Sequence, residues 1–401
     1  MILNKTYENI TKTSYLLLAI FPLIKTNYNS ILIILCFVLT FISFCFSNRN
    51  SFQKKNFWVL SSLFWIFLFH EIIFFDFNID RILLHLPFLV FPLLFIIKPK
   101  YINSEIKDFS ITVFQISVFL QCFFYTIFFL ISNPLNKFFY IQNNIPFFRE
   151  FVSENYFIKI HPTYFSAFLL VSLTISFFRL KKYKLINLIN IVISLFFIFL
   201  FSSRIIFVIL LIMAVLIFAY LTKNSSRKKI TVSFFATIVI LCFIIYPARN
   251  VISKRFIEIK TEINKPIIGE YYNSTNTRVA ILNCSIFLIK GVPLFGYGDE
   301  LQNKLNDCYK NTNDSDFYIK QTFNTHNYYI NLILYGGWFF ILLFLYYILY
   351  IFKKIKNNKL ELFILIQFLL INLTENFLSR QHGIVLFTYF MAMFILIREN
   401  E

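Results

Sequence analysis

Long apolar runs recur along this chain, each bounded by a small cluster of charged residues. Reading them as candidate spans gives stretches near 11–25, 29–47, 56–75, 82–97, 109–132, 162–178, 185–202, 205–222, 230–247, 327–352, 360–374 and 384–397. The pattern predicts an all-α, polytopic membrane protein of about twelve transmembrane helices, with one long external loop between spans nine and ten. It divides the chain into a bundle of about nine spans (1–247), an external loop with short helices (248–325) and about three C-terminal spans (326–401). Lys5 and Lys12 lead directly into the first run with no small-residue cleavage site after it, so no removable signal is expected.

Composition supports the same class. Of 401 residues 58% are hydrophobic and 21% aromatic, and only 14% are charged. Soluble domains carry about 25% charged residues, so a water-soluble enzyme is excluded. The net charge of +18 would suggest nucleic acid in a soluble protein. Here it is first a matter of topology. The short connections at 48–55, 98–108, 179–184, 223–229 and 353–359 are all basic, whereas those on the opposite side carry only Lys25, Arg81, Arg204 and Arg380. By the positive-inside rule both termini are expected in the cytoplasm, with 133–161 and 248–325 outside, and no nucleic acid is implied. A cation kept outside against that bias, beside a span, is the better candidate for an anionic ligand.

Four constellations could carry chemistry. Thr325, His326 and Asn327 stand at the outer mouth of span ten, with Gly336 and Gly337 further down it. A histidine at a water–lipid boundary suits general-base work, and an interfacial or capping histidine is the bland alternative. Arg278 precedes a turn rich in glycine, Lys290-Gly-Val-Pro-Leu-Phe-Gly-Tyr-Gly298. The exposed amides of Gly296 and Gly298 could hold phosphate or sugar, and the arginine fork suits diphosphate oxygens. Arg204, in the near-loopless Ser202-Ser203-Arg204 connection, is expected at the outer interface, paired with an anion or snorkelling to lipid. Fourth come His161, in His161-Pro162-Thr163-Tyr164, and the stretch Glu375 to Gly383, where Glu375 and Arg380 could simply pair with each other. His70 and His85 are expected to be packing residues. The chain has no CxxC, HExxH or GxxxxGK pattern, so neither metal nor nucleotide is implied. Cys284 and Cys308 fall in the external segment, where a disulfide and two buried thiols are both open readings. The amphipathic run Val279 to Ile289 is expected to form a helix at the interface.

Taken in order, these residues resemble the bacterial O-antigen ligase and polymerase superfamily. The resemblance rests on Arg204 at the head of a mid-chain span, then Arg278, Pro293, Leu294, Gly296 and Gly298 in a long external loop. His326-Asn327 follows, with Gly337 eleven residues after the histidine, and together these cover roughly 160–390. The chain departs from the family pattern at Phe340, where a second glycine is frequent. The resemblance implies a metal-independent, cofactor-free inverting glycosyltransferase in the bacterial inner membrane. Its donor would be an undecaprenyl-diphosphate-linked glycan and its acceptor a lipid A-core or other hydroxyl, at the periplasmic face among membrane lipids. His326 would be the base and Arg204 and Arg278 the diphosphate clamp, with Asn327, Gly296, Gly298, His161 and Arg380 as further substrate contacts. A ligase is the leading expectation, ahead of a polymerase using the same donor and a protein-glycosylating ligase. A lipid or polysaccharide transporter would need ionisable residues at mid-membrane, and the spans appear nearly free of charge in sequence.

Overall fold

The computed structural model describes residues 2–46, 53–74, 78–142, 145–154, 158, 160–201, 203–222, 253, 257, 260–261, 274–313 and 323–397. The ninth expected span, Lys159, Ser202, Cys242 and part of the 248–325 segment lie outside these residues. Every other expected span overlaps α-helix, the first (11–25) only as far as Leu18. In chain order the helices are α1 (Ile2–Leu18), α2 (Thr26–Phe46), α3 (Lys54–Leu60), α4 (Ser62–Ile73), α5 (Ile79–His85), α6 (Pro87–Ile96), α7 (Ser104–Ser132) and α8 (Phe147–Glu154). They continue as α9 (Pro162–Phe178), α10 (Lys184–Phe201), α11 (Arg204–Thr222), α12 (Ser274–Ile289), α13 (Leu301–Asn313), α14 (Tyr328–Ile355), α15 (Lys359–Ile371) and α16 (Gln381–Leu396). A two-residue antiparallel ladder pairs Ile141–Gln142 with Ile145–Pro146.

Among the described residues five segments are long and apolar enough to cross a membrane, and α3 with α4, bent by 51°, makes a sixth if read as one broken span. The protein is a multi-pass membrane protein. Twelve spans are not established by the described residues, because several helices are short. At 1.5 Å per residue, the 16-residue α16 is only about 24 Å long against a hydrocarbon core of about 30 Å. Its side chains from Gly383 to Leu396 are all buried, as expected of a helix apolar on every face that packs inside protein. By contrast α2 exposes Ile31, Ile34, Leu35, Val38, Phe41 and Ile42. That helical-period apolar stripe is suited to lipid.

Contacts divide the chain into two units interleaved along the sequence: Met1–Leu35 with Glu105–Glu258, and Cys36–Ser104 with Ile259–Glu401. The first unit is built around α9 and α10. Small residues on α9 let a polar seam form between helices: the Gln115 amide donates to Ser176 Oγ (2.7 Å) and Asn187 Oδ1 (3.0 Å), and Asn190 donates to Ser172 Oγ (2.8 Å) and Ser176 Oγ (2.6 Å). Such bonds are among the forces that associate helices where lipid removes the hydrophobic drive. Beyond the seam, buried Arg179 pairs with Asp108 at 3.2 Å, and the same carboxylate holds the Lys182 ammonium above its ordinary range. In the connection before α9, Phe138 and Phe148 pack against each other and α10, and Arg149 donates to the last carbonyl of α10, Phe201 O (2.6 Å). That is the favoured end of a helix for a cation.

In the second unit, α16 lies against α6 through Phe88–Phe387 and Phe91–Tyr389 ring contacts, with Tyr347 of α14 on the same cluster. The Cys284–Cys308 disulfide joins α12 to α13, with the Cα atoms 5.7 Å apart, which settles the two readings of these cysteines in favour of the bond. The helix expected over Val279 to Ile289 is the body of α12. It turns Ala280, Ile281, Cys284 and Leu288 inward and leaves Val279, Leu282, Ile286 and Phe287 exposed.

Candidate functional site

The second unit gathers His326, Arg278 and Glu375. His326 sits just before α14, in a segment whose backbone is tied on both sides. Its own N–H donates to Asn324 Oδ1 (3.0 Å), and the Thr325 hydroxyl meets the Asn376 amide. Asn327 caps α14 by accepting from Ile330 N (3.1 Å) while its Nδ2 donates to Leu373 O (2.8 Å). Tyr328 N donates to Asn372 O at 2.9 Å. The 325–328 corner is thereby stitched to the turn after α15. Within it His326 has φ 45°, and no other non-glycine residue has positive φ among the described residues. Left-handed backbone at a residue with a Cβ costs on the order of 1 kcal/mol or more and persists only where surrounding bonds over-determine it.

That turn supplies the carboxylate. Glu375, whose side chain is 10% exposed, accepts from Arg278 Nη2 at 2.6 Å, and its other oxygen lies 3.4 Å from His326 Nδ1. The Nδ1 is itself buried and makes no hydrogen bond in this geometry, while 30% of the His326 side chain stays exposed through its other atoms. Arg278 keeps 43% of its side chain exposed while bound. A buried acid therefore meets a half-exposed guanidinium through one oxygen and faces an imidazole through the other. The expected Glu375–Arg380 pairing is not what forms. After Glu375 the chain makes one 3-10 turn, Phe377–Ser379, and returns extended at Arg380, so the carboxylate faces α12 while Arg380 opens α16 exposed and in no ion pair among the described residues.

The remaining predicted residues are placed as follows. Gly296 and Gly298 are buried, not open to a ligand. Gly296 (φ 77°) meets Gly337 (φ 72°) backbone to backbone: a Cβ on the first would fall on Tyr335 O, and one on the second on Leu294 O. Gly337 breaks α14, and the Leu294–Tyr297 turn fills the break, with Tyr297 N donating to Leu334 O at 2.8 Å. Burial raises the Tyr297 phenol, which donates to Leu288 O at 3.0 Å. Only glycine fits where two main chains approach this closely. Phe340, standing where a second glycine is frequent in the family, lays its ring over Gly336 and against His70 and Phe67. In the first unit Arg204 opens α11, half-buried, and exposed His161 caps α9 with Nδ1 accepting from Thr163 N (3.4 Å) ahead of Pro162. These two residues belong to one unit and His326 to the other.

A second cluster was not legible in sequence. Glu71, 2% exposed on α4, accepts from Tyr335 OH (2.5 Å), Arg81 Nη1 (3.0 Å) and Asn78 N (3.3 Å). Arg81 also donates to Tyr335 OH (2.6 Å), lies 5.0 Å over its ring and pairs through Nη2 with Asp299. His70 and His85 are packing residues as expected: His70 Nε2 meets Phe295 O at 3.0 Å, and His85 stacks on Phe67 at 3.7 Å with Nδ1 against Arg81 O. The signal that could have found this cluster is the acid inside an apolar run, at Glu71, since such a residue needs a partner.

Residues 189–345 match the family model described as O-Antigen ligase. This segment is similar to the O-antigen ligase superfamily. The O-antigen ligase match runs from α10 into α14 and so contains Arg204, Arg278, the glycine turn and His326, while Glu375 lies beyond it. No curated protein matches the chain significantly.

Proposed function

We propose that the protein is a glycosyltransferase of the O-antigen ligase type, moving a glycan from undecaprenyl diphosphate to a lipid A-core hydroxyl at the periplasmic face of the bacterial inner membrane. The observation that carries the reading is Glu375 standing between Arg278 and His326. Before reaction, the Glu375 charge offsets that of Arg278. As the acceptor hydroxyl attacks the anomeric carbon, its proton passes to His326, and the imidazolium so formed faces the carboxylate 3.4 Å away. The trio then carries a net positive charge at the moment the diphosphate departs, so fixed cations stabilise the leaving group as charge develops on it. Half-exposed Arg278 presents its free donors to that anion. A single displacement of this kind inverts the anomeric centre. The Cys284–Cys308 bond beside Arg278 supports an oxidising compartment for this face.

The test is transfer by the purified full-length protein from a polyprenyl-diphosphate-linked oligosaccharide to lipid A-core. His326→Ala is expected to lower turnover by about 10²–10⁴-fold, the usual worth of general-base catalysis. A His326→Ala variant that is folded and fully active would end the proposal. Transfer to a second polyprenyl-linked unit, with none to lipid A-core, would move the assignment from ligase to polymerase.

A further inference from the structure

The Leu294–Asp299 turn joins the helix of Arg278 to the break in the helix of His326, and one side chain locks it there. Arg81 reaches Tyr335, about two turns into α14, through Nη1 and its ring face, and reaches Asp299 through Nη2. Glu71 fixes Arg81 from behind, with Tyr335 OH donating to the same carboxylate oxygen. The turn is otherwise held by contacts without an ion pair: Tyr297 N to Leu334 O, Tyr297 OH to Leu288 O, His70 Nε2 to Phe295 O, the Phe295–Phe339 ring contact and the Gly296–Gly337 approach. We propose that Arg81 is a positioning residue for glycan transfer, holding the Leu294–Asp299 turn in the break of α14 so that Arg278 and His326 keep the spacing that lets both meet Glu375. This rests on the reading of the Glu375 site given above.

The physical case is one of shape as well as charge. A planar guanidinium addresses Glu71 and Tyr335 with one nitrogen and Asp299 with another, whereas an ammonium on a flexible stem cannot hold both directions. Arg81→Lys therefore keeps the charge that the two carboxylates need while loosening the turn. Asp299→Asn does the complementary thing, leaving Glu71, Arg81 and Tyr335 together and weakening only the link to the turn. Displacing reacting groups by about 1 Å costs up to about 10²-fold in rate.

Both variants are measured as purified full-length protein with a polyprenyl-diphosphate-linked oligosaccharide donor, reading kcat, donor KM and thermal unfolding. The expected result is a kcat per folded molecule lowered by about tenfold or more at a donor KM within about twofold, whatever the shift in unfolding temperature. The Arg81→Lys/Asp299→Asn double variant should be no worse than the poorer single one, since both act through one link. A wild-type kcat in either single variant, a loss that merely follows the amount of folded protein, or full additivity in the double variant would each overturn the proposal. His326→Ala is run alongside. An inactive His326→Ala with fully active Arg81→Lys and Asp299→Asn removes Arg81 alone, whereas an active His326→Ala removes the reading on which it rests.

Discussion

The second unit holds two carboxylate–arginine clusters built from the same chemistry and finished differently. Around Glu71 the hydrogen bonds are closed: three donors converge on a carboxylate that is 2% exposed. Around Glu375 they are left open: Arg278 remains 43% exposed, His326 Nδ1 has a carboxylate 3.4 Å away and no hydrogen bond, and the histidine backbone is held left-handed by its neighbours. A closed network rigidifies, because each group has already replaced the water it lost. An open one retains capacity for a ligand or a proton in transit. Ion pairing alone therefore does not separate the two clusters; unspent donors beside an over-determined backbone do.

The contrast can be broken most sharply at Glu71. Glu71→Ala leaves the partly exposed Arg81 and the Tyr335 hydroxyl without their buried acceptor, and losing one member of a buried pair costs up to about 3–5 kcal/mol. The expected result is a large drop in unfolding temperature and in recovered protein; unaltered stability would mean that the closed cluster is not structural. Glu375→Gln should do the reverse, keeping the fold while lowering turnover by about ten- to a hundredfold, the rate equivalent of a charge-assisted hydrogen bond of about 1.5–3 kcal/mol. Unchanged turnover in folded Glu375→Gln would erase the distinction between the clusters. Tyr335→Phe removes one donor from Glu71 but keeps the ring beneath Arg81, so a loss of about 1–3 kcal/mol is expected in chemical denaturation, with the residual ion pair holding the cluster. Smallest of all, Arg380→Ala should change neither stability nor turnover by more than about threefold, since Arg380 joins neither cluster. A large loss there would return it to the substrate contacts.

Much of the plan was readable from residue order. Apolar runs and basic loops located the helices because lipid and topology act on each segment independently of its neighbours. The spacing of Arg278, Pro293, Gly296, Gly298, His326 and Gly337 pointed to the stretch from which Arg278 and His326 reach Glu375, whereas its glycines, expected to be open, are buried. A glycine-rich turn open to phosphate and one pressed against another backbone look alike in sequence, because both ask only for a missing Cβ and a positive φ.

By itself, then, the sequence determined that this is a multi-pass membrane protein, that its apolar runs form helices, and that a histidine precedes one of them. Only the tertiary structure decided the partners. Glu375 meets Arg278 from 97 positions away and Tyr335 meets Glu71 from 264, and such pairings arise from helix packing that no local pattern encodes. For the same reason Arg380, five residues from Glu375 and the obvious partner in sequence, was passed over: one 3-10 turn between them points the carboxylate towards α12 and the arginine away.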